Sequence, residues 1–387
     1  MSDVLEAARV PGSAGLFVLG CFERNVSIYL QQVRALNLAW GLRDAGRVAV
    51  IGGGFAGLTA AAGLTALGVR VSLFERQPEL LSLQRGNRVR WIHPHIHEWP
   101  RPGAEDPQAG LELLDWQAGY AGDVAQRIVG EFSRFDVDLR LNASCDLSEG
   151  WTVNGDPFEA VVLAVGLGVE KTFGKVPLHS YWLDRTIATP SATRKEVFVS
   201  GCGEGGLIDT LYLRLRDFRH DAVCRDCLRD VEPLRRALLD VESGVENADP
   251  REAGALLTAA YQQLEVPPRV DDCLRARLRE DTRVTLNSPT PDFLTNKADI
   301  LNRFLISRLV RMGAVEHVAG RLTQVEDDRV RLDTGLDRRF DQVLIRHGTE
   351  PALRSDFARF WLPYYEHRKG TPFQVPVPAW PRGAFSH

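Results

Sequence analysis

Residues 47–58 read Arg47-Val48-Ala49-Val50-Ile51-Gly52-Gly53-Gly54-Phe55-Ala56-Gly57-Leu58, and Val71-Ser72-Leu73-Phe74-Glu75 answers them downstream. The apolar run ending at Ile51 has the continuous hydrophobicity of a strand buried on both faces of a parallel sheet. Gly52, Gly54 and Gly57 then fall on the G-x-G-x-x-G pattern, and an Ala/Leu-rich helix from Leu58 to Leu67 follows. Gly52 permits the tight turn, Gly54 lets a pyrophosphate approach the backbone, and Gly57 lets helix and strand pack closely. Phe55 and Ala56 open the helix, whose first N–H groups and positive dipole end face the phosphates. Glu75 ends the second strand, where a carboxylate can accept both hydroxyls of an adenosine ribose and would repel a 2′-phosphate. Arg76 beside it is a further candidate contact. The stretch predicts a nucleotide-binding βαβ unit.

The chain has 387 residues, 44% hydrophobic and 25% charged, enough for two domains with their own cores. A net charge of -4 gives no basic footprint for nucleic acid. No apolar run reaches the roughly 18 residues of a membrane span, and the N-terminus lacks the basic-then-apolar design of a signal peptide. The expectation is a cytoplasmic protein with no membrane partner. Cys21, Cys145, Cys202, Cys224, Cys227 and Cys273 make no disulfide framework in a chain of this size, so reduced thiols are expected. Cys224 and Cys227 have redox-motif spacing, but spacing alone does not lower a thiol pKa, and two reduced cysteines on a helix are the preferred reading.

Residues 1–46 precede the first nucleotide-binding strand and are not linker-like. Leu16 to Leu19 can form a short strand. Val26, Leu30, Val33, Leu36 and Trp40 recur at helical spacing, predicting an amphipathic helix that packs on the domain and carries Gln31, Gln32 and Arg34. After Glu75 comes a polar, aromatic segment, Arg85 to Pro100, that contains Arg88, Arg90, His93, His95 and His97. Pro94 argues against helix. Extended chain over 88–98 would put the three histidines on one face. With no nearby cysteine and only Glu98 as carboxylate, no metal site is assigned to them. Arg88, Arg90, His93, His95 and His97 are instead the candidates for steering a substrate carboxylate or stabilising a reduced, anionic flavin, with Arg90, His93 and His95 as the catalytic set and Arg88 also as a cofactor contact.

Phe158 to Gly166 read as a strand closed by glycine, after a hairpin edge at Trp151-Thr152-Val153. Val330 to Leu332, a Thr334-Gly335 turn and Phe340 to Gly348 repeat that design. Between these twins, Val197 to Ser200 leads into Gly201-Cys202-Gly203-Glu204-Gly205-Gly206, a second glycine turn with Gly201, Gly203 and Gly206 in step.

Two glycine-rich turns with two strand-then-glycine closures resemble the two-dinucleotide-binding-domain flavoproteins over residues 47 to about 350, closest in layout to class B flavin monooxygenases and N-hydroxylating enzymes and also like glutathione-reductase-type proteins. The resemblance implies an α/β fold: a Rossmann-type FAD domain with an inserted second Rossmann-like domain and an N-terminal helical extension. It divides the chain into 1–46, 47–170, 190–345 and 346–387, the last returning to the FAD domain. It implies FAD as cofactor, NAD(P)H as the usual second ligand, and a small-molecule substrate. Gly166 and Gly348 would mark the crossovers between domains.

Three positions depart from that pattern. No second strand with a charged cap follows the helix opened by Gly206, because residues 219–282 read as helix and loop. The 39 residues after Gly348 hold no glycine-aspartate pair, which in the family holds the flavin ribityl chain. Arg346 and His347 stand where small residues are usual. The leading expectation is an NAD(P)H-linked FAD oxidoreductase. An FAD oxidase or dehydrogenase that dispenses with nicotinamide, and a non-catalytic nucleotide-sensing module, stand beside it. Helix face Leu301, Phe304, Leu305 and Leu309 can be core or the surface of a homo-oligomer, with core expected.

Overall fold

A computed structural model describes residues 2–21, 26–148, 151–245, 248–370 and 375–386. The chain forms two compact units, one of residues 1–88, 107–169 and 349–387, the other of 89–106 and 170–348. Each is built on its own parallel sheet.

In the first unit, β1 (Leu16–Val18) leads to helix α1 (Ile28–Gly41), then β2 (Arg47–Ile51), α2 (Phe55–Ala66) and β3 (Arg70–Phe74). Helix α3 (Ala121–Phe132), β4 (Asp138–Arg140) and β5 (Ala160–Leu163) complete it. The sheet order is β1-β5-β2-β3-β4, all parallel. Runs such as Val48 to Ile51 and Val161 to Leu163 are buried on both faces because helices cover the sheet. Helix α2 is apolar nearly all round and packs on α1. Between these helices Gln32 donates to Thr59 Oγ1 at 3.2 Å and accepts from Trp116 Nε1 at 2.8 Å, so the buried amide is satisfied.

The N-terminal segment is therefore more than the packed helical extension expected. Leu16, Phe17 and Val18 pair in parallel with Val161, Val162 and Leu163, making β1 the edge strand of the sheet. Helix α1 starts at Ile28, two residues later than its apolar spacing suggested, because Ser27 caps it by accepting from Leu30 N at 3.1 Å.

In the second unit, β6 (Lys195–Ser200) runs into α4 (Glu204–Arg214). Four helices follow: α5 (His220–Cys227), α6 (Glu232–Val245), α7 (Pro250–Gln263) and α8 (Pro268–Ala276). Only then comes β7 (Thr282–Ser288), which pairs in parallel with β6. Residues 219–282 are thus helix and loop, as read from the sequence, and the strand that follows ends in Ser288 rather than in a charged residue. Helix α9 (Ile300–Arg311) and β8 (Val315–Ala319) follow, then the antiparallel β9 (Leu322–Glu326), β10 (Arg329–Leu332) and β11 (Asp337–Arg339), and last β12 (Gln342–Ile345). The parallel order is β8-β7-β6-β12. Leu301, Phe304, Leu305 and Leu309 are core, each at most 1% exposed.

Three further expectations are corrected. Residues 89–106 belong to the second unit, not to one continuous FAD domain over 47–170. They are not extended: a two-residue strand, Trp91–Ile92, gives way to a tight helical turn at Ile96–Glu98, so the histidines share no strand face. The thiols are not all reduced, since Cys227 of α5 is bonded to Cys273 of α8. No helix among the described residues is long and apolar enough to cross a membrane.

Because Leu16 is fully buried in the sheet, Leu16→Ala should lower unfolding stability by about 2–5 kcal/mol. Chemical denaturation checks this, and a loss below about 0.5 kcal/mol, the usual range for surface positions, would mean that β1 is an appendage.

Candidate functional site

The strand ends of the first unit are level. Leu19 N donates to Leu163 O at 2.9 Å, Ala164 N to Ile51 O at 2.8 Å, and Gly52 N to Phe74 O at 2.8 Å. This places Gly20, Gly166, Gly52 and Glu75 along one carboxyl edge, where open α/β sheets bind ligands. Gly52 has φ +113°, and a Cβ there would meet Ala164 O at 2.3 Å. A Cβ on Gly57 would meet Gly52 O at 1.9 Å. The chain itself therefore demands both glycines.

Gly54 is different. Its φ is -80°, ordinary for any residue, and an added Cβ meets nothing within 4 Å. Nothing inside the protein requires glycine there, whereas a pyrophosphate lying on the backbone would. The first-turn amides of α2 have no intrahelical acceptors, as at any helix start, and suit an anion. Glu75 is held in place by Gly53 N on Oε2 at 2.6 Å and Gln77 N on Oε1 at 2.7 Å. Each oxygen keeps a lone pair for a ribose hydroxyl. These residues fit the adenosine diphosphate half of FAD.

At the same edge, Gly20 (φ +85°) is covered by Gln31, whose Nε2 donates to Gly20 O at 3.2 Å, and Arg34 reaches Gln31 Oε1 at 3.4 Å. Cys21 Sγ lies 3.6 Å from Gly166 O. Gly20 and Cys21 thus lie at the same strand-end edge as Gly166. The sequence holds no glycine-aspartate pair after Gly348, and the strand Leu16 to Leu19 read from it is what brings Gly20 to this edge. Arg76 is exposed and paired with Asp356 at 3.0 Å, and Arg88 is exposed at the end of its segment.

The second unit repeats the arrangement. Gly201 N donates to Asn287 O at 3.0 Å and Arg346 N to Ser200 O at 2.7 Å. Cβ atoms on Gly201 and Gly206 would meet Arg346 O at 2.2 Å and Gly201 O at 1.9 Å, and one on Gly203 nothing within 4 Å. Residue for residue, Arg346 and Gly348 stand where Ala164 and Gly166 do, and Ser288 where Glu75 does. Ser288 Oγ donates to Thr290 O at 2.6 Å, so a neutral hydroxyl caps β7. Cys202 is buried within this turn, which pushes its thiol up to about 12 and leaves it protonated.

Arg90 is not positioned to steer a substrate. It is 1% exposed, and its Nη2 lies 2.7 Å from Oδ1 of Asp209 on α4 while the guanidinium stacks 3.9 Å from the Tyr181 ring. Arg346 takes the other oxygen, Nε to Asp209 Oδ2 at 2.7 Å. Arg346, standing where small residues are usual, thus turns its side chain onto Asp209 of α4. His93 is buried as well, its Nδ1 accepting from His95 N at 3.2 Å and Ile96 N at 3.1 Å, and burial pulls it down to about 4. It is a neutral turn-former. His95 is half-buried, 3.6 Å from Glu98.

Among the described residues, the side chains whose ligand atoms could converge on a metal are His97, Glu204 and Asp299, within 4.8 Å of one another. They form a proton-bearing cluster: His97 Nδ1 lies 2.5 Å from Asp299 Oδ2, and Glu204 accepts from Asp299 N at 2.8 Å and Asn302 Nδ2 at 2.5 Å. Burial pulls His97 down, but Asp299 and Glu204 outweigh it and hold it at about 9. Burial and Asp299 raise Glu204 well above the carboxylate range. Both acids sit at helix N-termini, whose dipoles favour negative charge.

Residues 47–116 match the family model described as FAD dependent oxidoreductase. Similar solved structures include cyclohexanone monooxygenase in its loose, epsilon-caprolactone-bound form (TM-score 0.45, 14% identity, 81% of this chain and 75% of that one). Bacillithiol disulfide reductase from Staphylococcus aureus (0.45, 13%, 82% and 79%) and oxidized steroid monooxygenase bound to NADP (0.42, 16%, 81% and 73%) are two others. No curated protein sequence matches the chain. The matched segment contains the first glycine turn and Glu75, and each unit holds a parallel sheet with its own glycine turn.

Removing one partner from a buried charge network leaves the others uncompensated. Asp209→Ala should cost about 3–5 kcal/mol, read by denaturant unfolding of the second unit. For His97, the raised value means that its stabilisation is complete below 6.5 and is lost as pH rises through about 9. His97→Gln should therefore flatten the fall in melting temperature between those pH values, and an unchanged slope would assign the fall to other groups.

Proposed function

We propose that the chain is an NAD(P)H-linked FAD oxidoreductase, a reductase or monooxygenase, acting on a small organic substrate. The observation that carries this reading is the shared property of Gly54 and Gly203: both are glycine where the protein has room for a side chain, at the matching place in two turns of the same register. A backbone kept bare for an outside group in each unit suits one dinucleotide per turn. FAD, when bound, supplies two-electron acceptor chemistry. The chain's residues bind and orient it: Glu75 takes the ribose, the first turn of α2 the pyrophosphate, and Gly20-Cys21 with Gly166 bound the same edge. Arg90 and His93, committed elsewhere, have no part in substrate contact, and His95 is retained as the segment's candidate.

One observation favours a second reading, an oxidase or dehydrogenase that takes electrons from its own substrate. Ser288 replaces the carboxylate that Glu75 supplies in the first unit, so the ribose of a second dinucleotide lacks its charged acceptor. Anaerobic absorbance after addition of NADH or NADPH separates the two. Rapid bleaching of the flavin in the parent protein, slowed at least tenfold in Gly203→Val with flavin content unchanged, is the expected result. Flavin that stays oxidised with both nucleotides would transfer the assignment to the second reading.

A further inference from the structure

At the opposite end of α4 from its glycine turn, Leu215 and Leu278 form an antiparallel bridge. Arg216 N donates to Arg277 O and Arg279 N to Arg214 O, each at 2.8 Å. The paired segments read Arg214-Leu215-Arg216 and Arg277-Leu278-Arg279. Leu215 is core at 1% exposed, while the partly buried Leu278 lies with Arg214, Arg216 and Arg279 along one cleft. Like charges opposite one another weaken such a pair, so the arrangement needs compensation.

Half of it is compensated internally. Arg277 is paired with Asp226, and Arg279 grips Asp281 through Nε at 3.0 Å and Nη2 at 2.7 Å. Arg214 and Arg216 have no carboxylate partner among the described residues. Arg214 Nη1 donates to the carbonyls of Arg279 (2.8 Å) and Thr282, and Arg216 Nη2 to that of Ala276. These bonds satisfy carbonyls of neighbouring chain but engage one nitrogen of each guanidinium, which has five N–H donors. Arg214 is only 6% exposed, and its Nε has no hydrogen-bond partner. Burial, with the charges of Arg194 and Arg279 close by, lowers it from the ordinary arginine value.

Arg194, Arg214, Arg216, Arg275 and Arg279 line a cleft of about 730 Å³ together with Glu280, the carboxylate in that lining. Arg275 is held by Asp272 at 3.1 Å. That leaves Arg194 and Arg216 with no carboxylate partner among the described residues, and Arg214 only partly offset by the nearby charge of Asp281, in a cleft of small-ligand size. The chain as a whole is acidic, so this positive charge is local.

We propose that the cleft binds a small molecule carrying a di- or triphosphate group. Planar guanidinium forks match phosphate oxygens, and a multiply charged anion would offset the excess of arginine over carboxylate in this lining. The 11 residues of α4 put the cleft roughly 16 Å from the glycine turn, so the ligand is additional to any dinucleotide bound there.

Isothermal titration of the FAD-loaded full chain with sodium pyrophosphate, at fixed ionic strength, tests this. Saturable binding is expected, at least tenfold weaker in Arg194→Ala/Arg216→Ala, with circular dichroism and flavin content unchanged. Arg194→Glu, which alters an exposed side chain that makes no hydrogen bond among the described residues, should weaken binding in the same direction and stands in if the double variant fails to fold. Equal affinity in the parent and variants would place binding elsewhere and overturn the proposal. So would equally tight binding of citrate, or binding of single-stranded RNA without binding of pyrophosphate.

Discussion

Everything at the candidate site depends on how closely helix α2 can approach the end of β2. The Gly52 carbonyl lies 1.9 Å from where a Cβ on Gly57 would be, so the first turn of the helix sits against the strand-to-helix turn with no room for a methyl group. That approach aims the free amides of the helix along the sheet edge, beside Glu75. Helix α4 makes the same approach to β6 at the same distance. A single steric rule, applied twice, organises both units.

Strand level is the second constraint. Parallel register fixes where each strand ends, and the ends of β1, β5, β2 and β3 coincide to within one residue. A strand entering the sheet from the N-terminal segment can therefore deliver Gly20-Cys21 to the same edge as Gly166 and Gly52. Sheet geometry does not record the order in which strands were supplied, only that each arrives in register.

Local features were legible in the sequence and distant pairings were not. The glycine turns, Glu75, helix α9 and the twin strand-glycine closures are written in contiguous residues, where turn sterics and apolar period decide the outcome. The pairing of β1 with β5 joins segments about 145 residues apart, as the Cys21–Gly166 contact shows, and no period announces it. The kinship of strand β7 with β3 was hidden by the helix and loop of residues 219–282 that separate it from its partner β6. Arg90 and His93 looked functional because charged, aromatic chain after a Rossmann strand is usually exposed. Their burial depends on Asp209 and on neighbouring chain from remote positions. The Cys227–Cys273 bond likewise spans 46 residues and two helices.

The most direct test of the central claim, that the first glycine turn with Glu75 holds FAD, is the flavin stoichiometry of the purified chain after saturation with FAD, compared with Gly54→Val. The account predicts one FAD per parent chain. It predicts a folded variant with almost none, since a valine side chain would occupy the space left open for the pyrophosphate. Full flavin occupancy in that variant, or none in the parent, would contradict it.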